Sequence, residues 1–246
     1  GVIIALGLAG FLGMTLFVWN ELRAPNPIIR FALFRARGAL TGAIHAMSLG
    51  WADGAFQLLL PFLFVVGYGW SVSYAAGMIF FMNMVRPFSG FISGWLADKY
   101  GSTVILVAAA IIAFVGQMAM GFLNVDPPLV LVIGSLVVMG IGRAFMQTAN
   151  QRQLFTSIPE SQLHLAPSAT LVLLTAGSSS GQALIAATLV ASAGLTGVSG
   201  AGNPALVNAA SGAIFVITGF FLFGVVLGFL VPWVTSAPEM EPDSAA

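Results

Sequence analysis

Seven long apolar runs constrain this chain more than any other feature, each close to the ~20 residues that a helix needs to cross a bilayer. They lie at 1–19, 39–66, 74–97, 103–123, 129–149, 167–193 and 209–234. The runs are continuous and do not alternate apolar with polar, so they predict helices rather than the strands of a membrane barrel. In lipid no water is at hand for a bare backbone, and a helix satisfies its own polar groups. Charge agrees with this reading: 7% of the residues are charged, against about a quarter in a soluble domain. The expectation is an all-α integral membrane protein, a polytopic bundle of about seven transmembrane helices with the lipid bilayer as its surroundings.

The connections orient the bundle. Stretches 20–38, 98–102 and 150–166 hold Arg23, Arg30, Arg35, Arg37, Lys99 and Arg152, whereas 67–73, 124–128 and 194–208 hold no Lys or Arg. This asymmetry places the basic connections, and the C-terminal tail with them, in the cytoplasm. Gly67-Tyr68-Gly69-Trp70 then falls at the outer interface, and residue 1 begins on the outer side. Stretch 20–38 reads as a basic cytoplasmic connector with Pro25 and Pro27. Its Phe31, Leu33 and Phe34 either lie on the membrane surface or belong to an ordinary basic loop. Stretch 39–234 reads as a six-helix bundle. The tail 235–246, with Pro238, Pro242 and three acids, is expected to be disordered. Residue 1 is Gly and no charged region precedes the first apolar run, which suggests a fragment starting inside or just before a helix.

Several chemistries have little to stand on. With no cysteine there is no disulfide or thiolate metal site, and His45 and His164 are too few to build a metal site alone. Zero net charge gives no broad nucleic-acid footprint. No zinc-protease, serine-hydrolase or phosphate-loop motif occurs, so neither an enzyme nor a cofactor is expected.

What remains are polar groups inside spans, where an Asp or Arg at a helix centre costs about 2.5–3.5 kcal/mol. Asp53, near the middle of the second span, has Gln57 one turn on and Gly50 one turn back. A carboxylate that is costly to keep charged suits the uptake and release of a proton. Asp53 is therefore a candidate for proton or substrate coupling, or else part of a structural ion pair with Arg86 or Arg143. His45 lies about 80° around the helix from Asp53 and reads as a packed or interface histidine. Arg86 follows Asn83 and precedes Pro87, where a kink beside a buried cation suits gating or anchors a pair. Arg143 and Gln147 share a face, which either lines a polar cavity or lets Arg143 snorkel to headgroups. Thr175, Ser178, Ser179 and Gln182 form one helical stripe that lines an aqueous path or bonds to neighbouring helices. Glycines at Gly50 and Gly54, Gly90 and Gly94, Gly177 and Gly181, and Gly224 and Gly228 stand at the spacing that lets helices approach closely.

Between the third and fourth spans runs Gly94-Trp95-Leu96-Ala97-Asp98-Lys99-Tyr100-Gly101, read as a hinge between membrane helices. Gly94, Leu96, Ala97, Asp98, Lys99 and Gly101 match the signature loop of the major facilitator superfamily, which the chain resembles; Ser102 and Thr103 stand where that loop has a basic pair. A narrower resemblance is to the C-terminal half of fourteen-span drug:proton antiporters. It rests on Leu33-Phe34-Arg35, Pro61, Gly67, Ser71, Ala76-Gly77, Pro87 with Gly90 and Gly94, Gly140-Ile141-Gly142 and Ile158-Pro159. Phe64 and Val65 stand where those antiporters have a glutamine, and Val72 where they have a proline.

The resemblance implies alternating access between two six-helix bundles, with the N-terminal half absent from this chain. It implies Asp98 and Lys99 as a gating element, with Gly94 and Gly101 framing it. It also implies a small-molecule substrate exported against protons across a bacterial inner membrane, through a cavity for which Phe56, Phe80 and Phe81 are aromatic candidates. An importer or exporter of one specific solute is the alternative, and a membrane enzyme or scaffold a more distant one.

Overall fold

The computed structural model describes residues 19–20, 37–158, 160, 163, 166–196 and 204–234. The expected span 1–19, most of the connector 20–38, His164 and the tail 235–246 lie outside the described residues. Six helices are long and apolar enough to cross a membrane, and no strand occurs among the described residues. The first of the seven expected spans is the one not described.

The helices are α1 Arg37–Phe62, α2 Val72–Tyr100, α3 Ser102–Gly121, α4 Leu129–Thr156, α5 Ala166–Thr196 and α6 Pro204–Val234. Their ends follow local chemistry. Just after Pro61, α1 widens into a π turn, Leu63–Gly67, closed by Tyr68 N donating to Leu63 O at 2.8 Å. Ser71 caps α2 by accepting from Tyr74 N. Gly101, at φ 89°, is the single residue that separates α2 from α3, a conformation that side-chain-bearing residues avoid. Pro128 precedes α4, and Pro204 opens α6.

Two boundaries differ from the sequence reading. The stretch expected as a loop at 98–102 is helical through Tyr100, so Gly94, Asp98 and Lys99 ride on α2 and only Gly101 turns. Helix α4 runs about two turns past 149, to Thr156, and carries Arg152 with it. No glycine or proline interrupts Gln147 to Ser157, so nothing stops the helix where its apolar run ends.

Two tight pairs, α1 with α5 and α3 with α4, form the bundle. Glycines make both possible. The Cα atoms of Gly50 and Gly54 sit against the backbone of Leu174 and Ser178, while Gly177 and Gly181 meet the backbone around Met47 and Trp51. The two glycine pairs thus interlock across one seam. Gly116 and Gly142 serve α3 and α4 in the same way, against Met139 and Ala113. Helix α6 packs on α1 and α3, with Gly224 on Ser48 and Gly228 on His45. Helix α2 leans on α4 and is the least buried of the six. Gly90 and Gly94 on α2 do not repeat the pattern: a side chain at either would meet only Thr148, at ordinary contact distance.

Candidate functional site: a charged cavity at mid-span

Asp53 on α1, Arg86 on α2 and Arg143 on α4 each stand within about one residue of the midpoint of their helices. Three helices thus bring charge to one depth. Arg86 Nη2 donates to Asp53 Oδ2 at 3.2 Å, and Arg143 Nη1 lies 3.0 Å from Asp53 Oδ1. One carboxylate therefore bridges two guanidiniums, and the two alternatives for its ion-pair partner are both realised. Arg86 Nη2 also donates to Gln147 Oε1 at 3.3 Å.

The two arginines differ in setting. The Arg86 side chain is 28% exposed, like that of Asp53, whereas Arg143 is 1% exposed. Arg143 therefore does not snorkel to headgroups. Its guanidinium lies over the Phe56 ring, 4.8 Å from the centroid, so one face is covered by the ring's negative π surface. Its Nε and Nη2 make no hydrogen bond among the described residues.

These groups edge a cavity of about 340 Å³ between α1, α2, α4 and α5. Asp53, Gln57, Asn83, Arg86, Arg143 and Ser178 line it together with Phe56, Leu60 and Pro61. Gln182 does not line it but donates to Gln57 Oε1 at 3.0 Å and joins α5 to α1. Asn83 donates to Ile79 O within α2. Pro61 and Pro87 lack the N–H groups that would engage the carbonyls of residues 57 and 83, so two cavity residues have backbone acceptors released from the helix ladder. Thr175 and Ser179 are exposed on α5 and do not reach this cavity, so the α5 stripe divides between lining and surface. Phe80 and Phe81 are exposed on α2 and also stand outside it; of the three aromatic candidates only Phe56 lines it.

His45 is packed, as the helical angle predicts. It is fully buried, its Nε2 is 3.0 Å from Val225 O, and its ring stands 4.7 Å from that of Phe229. It takes no part in the cavity.

At the basic end of the bundle, Asp98 in the last turn of α2 forms an ion pair with Arg152 in the last turns of α4. Sequence reasoning counted Arg152 only as a loop charge and missed this partnership. The signal lay in the uninterrupted helix-compatible run after Gln147. Lys99 lies over the rings of Trp95 and Tyr100, at 5.5 and 5.2 Å, rather than on a carboxylate. Two further bonds tie α4 to its neighbours along the same half: Ser93 Oγ to Phe145 O, and Asn150 Nδ2 to Gly42 O, both at 3.0 Å. Among the described residues no group of His, Asp and Glu is placed to hold a metal ion.

Comparison with known proteins agrees with this architecture. A riboflavin transporter, RibZ of Clostridioides difficile, is 25% identical over 154 residues, which cover 63% of this chain and 34% of that transporter. The chain therefore matches about a third of the relative's length. The family profile of the Major Facilitator Superfamily matches residues 1–184, from the first apolar run through the α5 residues at the cavity, and the chain belongs to that superfamily of membrane transporters.

Proposed function

We propose that this chain forms the C-terminal half of a secondary active transporter that exports an amphipathic organic solute against proton entry by alternating access. The observation that carries the reading is the Asp53 carboxylate, shared by guanidiniums from two other helices at the edge of a mid-span cavity. An ionisable triad at this depth is costly and is the usual mark of an ion or substrate path. A proton on Asp53 discharges both ion pairs at once and loosens α1 from α2 and α4. Asp53 is thus the coupling group, and Arg86 and Arg143 transmit its charge state to their helices. Asp98 and Arg152 clamp the ends of α2 and α4 and form a latch that opens in one half of the cycle. On this reading the latch and the C-terminal tail face the cytoplasm, which the positive-inside bias supports, and the protein sits in a bacterial inner membrane. An N-terminal bundle completes the cavity.

A second reading is a carrier of one specific solute, in either direction. The similarity to a riboflavin transporter favours it, as does a cavity that sets Gln57, Asn83 and Ser178 beside the Phe56 ring.

The test uses the full-length protein in inverted vesicles and records proton movement on adding riboflavin or a panel of amphipathic dyes. Proton release with several dyes, absent in Asp53→Asn, is the expected result. Proton movement with riboflavin alone selects the second reading. Solute movement that is unchanged in Asp53→Asn overturns the coupling role.

A further inference from the structure

We propose that the mid-span cavity is an anion site, which takes its solute by a carboxylate, phosphate or similar anionic group docked between Arg86 and Arg143. This rests on the reading of the cavity as the transport site and names the chemical class of the solute.

The first observation is charge. Of the described residues lining the cavity, Asp53, Arg86 and Arg143 alone are charged: two positive groups face one negative group. The other described carboxylates are elsewhere. Asp98 is held by Arg152 at the bundle end, Asp126 lies between α3 and α4, and Glu160 lies beyond α4. A surplus positive charge at the centre of a membrane helix is unfavourable, and an anionic solute cancels it.

The second observation is geometry. Arg143 is buried, yet it spends only Nη1 on Asp53, and its Nε and Nη2 are without a hydrogen-bond partner among the described residues. A guanidinium presents such donors as a planar fork that matches a carboxylate or phosphate in two parallel bonds. Phe56 and Leu60 supply an apolar wall for the organic part, in a cavity of about 340 Å³ that suits a small molecule.

Asp53 and the solute then compete for the same guanidiniums. A protonated Asp53 leaves both arginines to the solute, so proton and anion occupy the cavity together, which is cotransport and departs from the proton exchange of the first reading. Of the two readings above, this favours the specific carrier.

The experiment compares fluorescein, an anion, with rhodamine 123, a methyl ester that is a cation on the same ring skeleton and has no free carboxylate, by fluorescence anisotropy on the purified full-length protein. Fluorescein is expected to bind about tenfold or more tightly than rhodamine 123. Arg143→Gln is expected to weaken fluorescein binding by a similar factor. Because that variant removes a buried partner, Asp53→Asn supplies an opposite arm: it is expected to tighten fluorescein binding, a gain that misfolding does not produce. Equal binding of the two dyes, a preference for rhodamine 123, or weaker fluorescein binding by a folded Asp53→Asn protein overturns the proposal. Failure of the transporter reading looks different: the charge preference persists in the binding assay while no solute crosses the vesicle membrane.

Discussion

Arg143 and Arg152 illustrate how much a single residue's role depends on where its helix turns it. Both are arginines on α4, about two and a half turns apart. Arg143 points inward at Asp53 and Phe56, whereas Arg152 reaches Asp98 at the exposed end. The costs differ accordingly. Removing one member of a buried charge set leaves its partner uncompensated in a low-dielectric setting, while an exposed pair adds little to stability. On the proposed reading the Asp98–Arg152 pair therefore acts on conformation more than on folding. Reversal of each charge singly, Asp98→Arg or Arg152→Asp, is expected to cut solute flux by tenfold or more on the order of latch contributions of about 1–3 kcal/mol. The double reversal is expected to restore much of that flux, with the melting temperature nearly unchanged throughout. Flux measured in vesicles for the three variants checks this; no recovery in the double reversal refutes the latch.

At the scale of elements, the bundle is held by close helix approach rather than by a large apolar driving force, because lipid is as apolar as the side chains it replaces. The interlocked seam of Gly50, Gly54, Gly177 and Gly181 is the clearest instance. A Cβ at Gly54 would run into the Ser178 backbone, which cannot swing aside as a side chain can. Gly54→Val is expected to cost about 1–3 kcal/mol of bundle stability through overpacking. Gly90→Val, where a Cβ meets only Thr148 Oγ1 at 3.6 Å, is expected to leave the melting temperature within a few degrees of wild type. Thermal unfolding in detergent separates the two. All four glycine pairs carry the same spacing in the sequence, yet two interlock, one receives Ser48 and His45, and one stands loosely beside Thr148. Spacing shows that a helix has a smooth face, and only the rotation of the packed helix shows what lies against it.

For the whole molecule, the proposed topology rests on the distribution of cations among the connections, a property that packing does not alter. This chain has no cysteine of its own, so a single cysteine introduced here reports sidedness once any cysteine elsewhere in the full-length protein is replaced. Thr103 and Asn124 are exposed at opposite ends of α3. In intact cells an impermeant maleimide is expected to label Asn124→Cys and to spare Thr103→Cys, with the pattern reversed in inverted vesicles. The opposite pattern overturns the cytoplasmic placement of the Asp98 end.

The helical, membrane-spanning character of this chain was decided by sequence alone, since an apolar run of sufficient length has one stable state in lipid whatever its neighbours do. So were the superfamily signature at Gly94–Gly101 and the candidacy of Asp53, because a carboxylate in such a run is costly wherever it points. Tertiary structure decided the partnerships. It joined Asp53 to both Arg86 and Arg143, gave Arg152 to Asp98, drew Ser178 into the cavity and left Thr175 and Ser179 outside it. These choices depend on helix rotation and crossing, set by close packing among residues far apart in the chain. No local pattern carries that information.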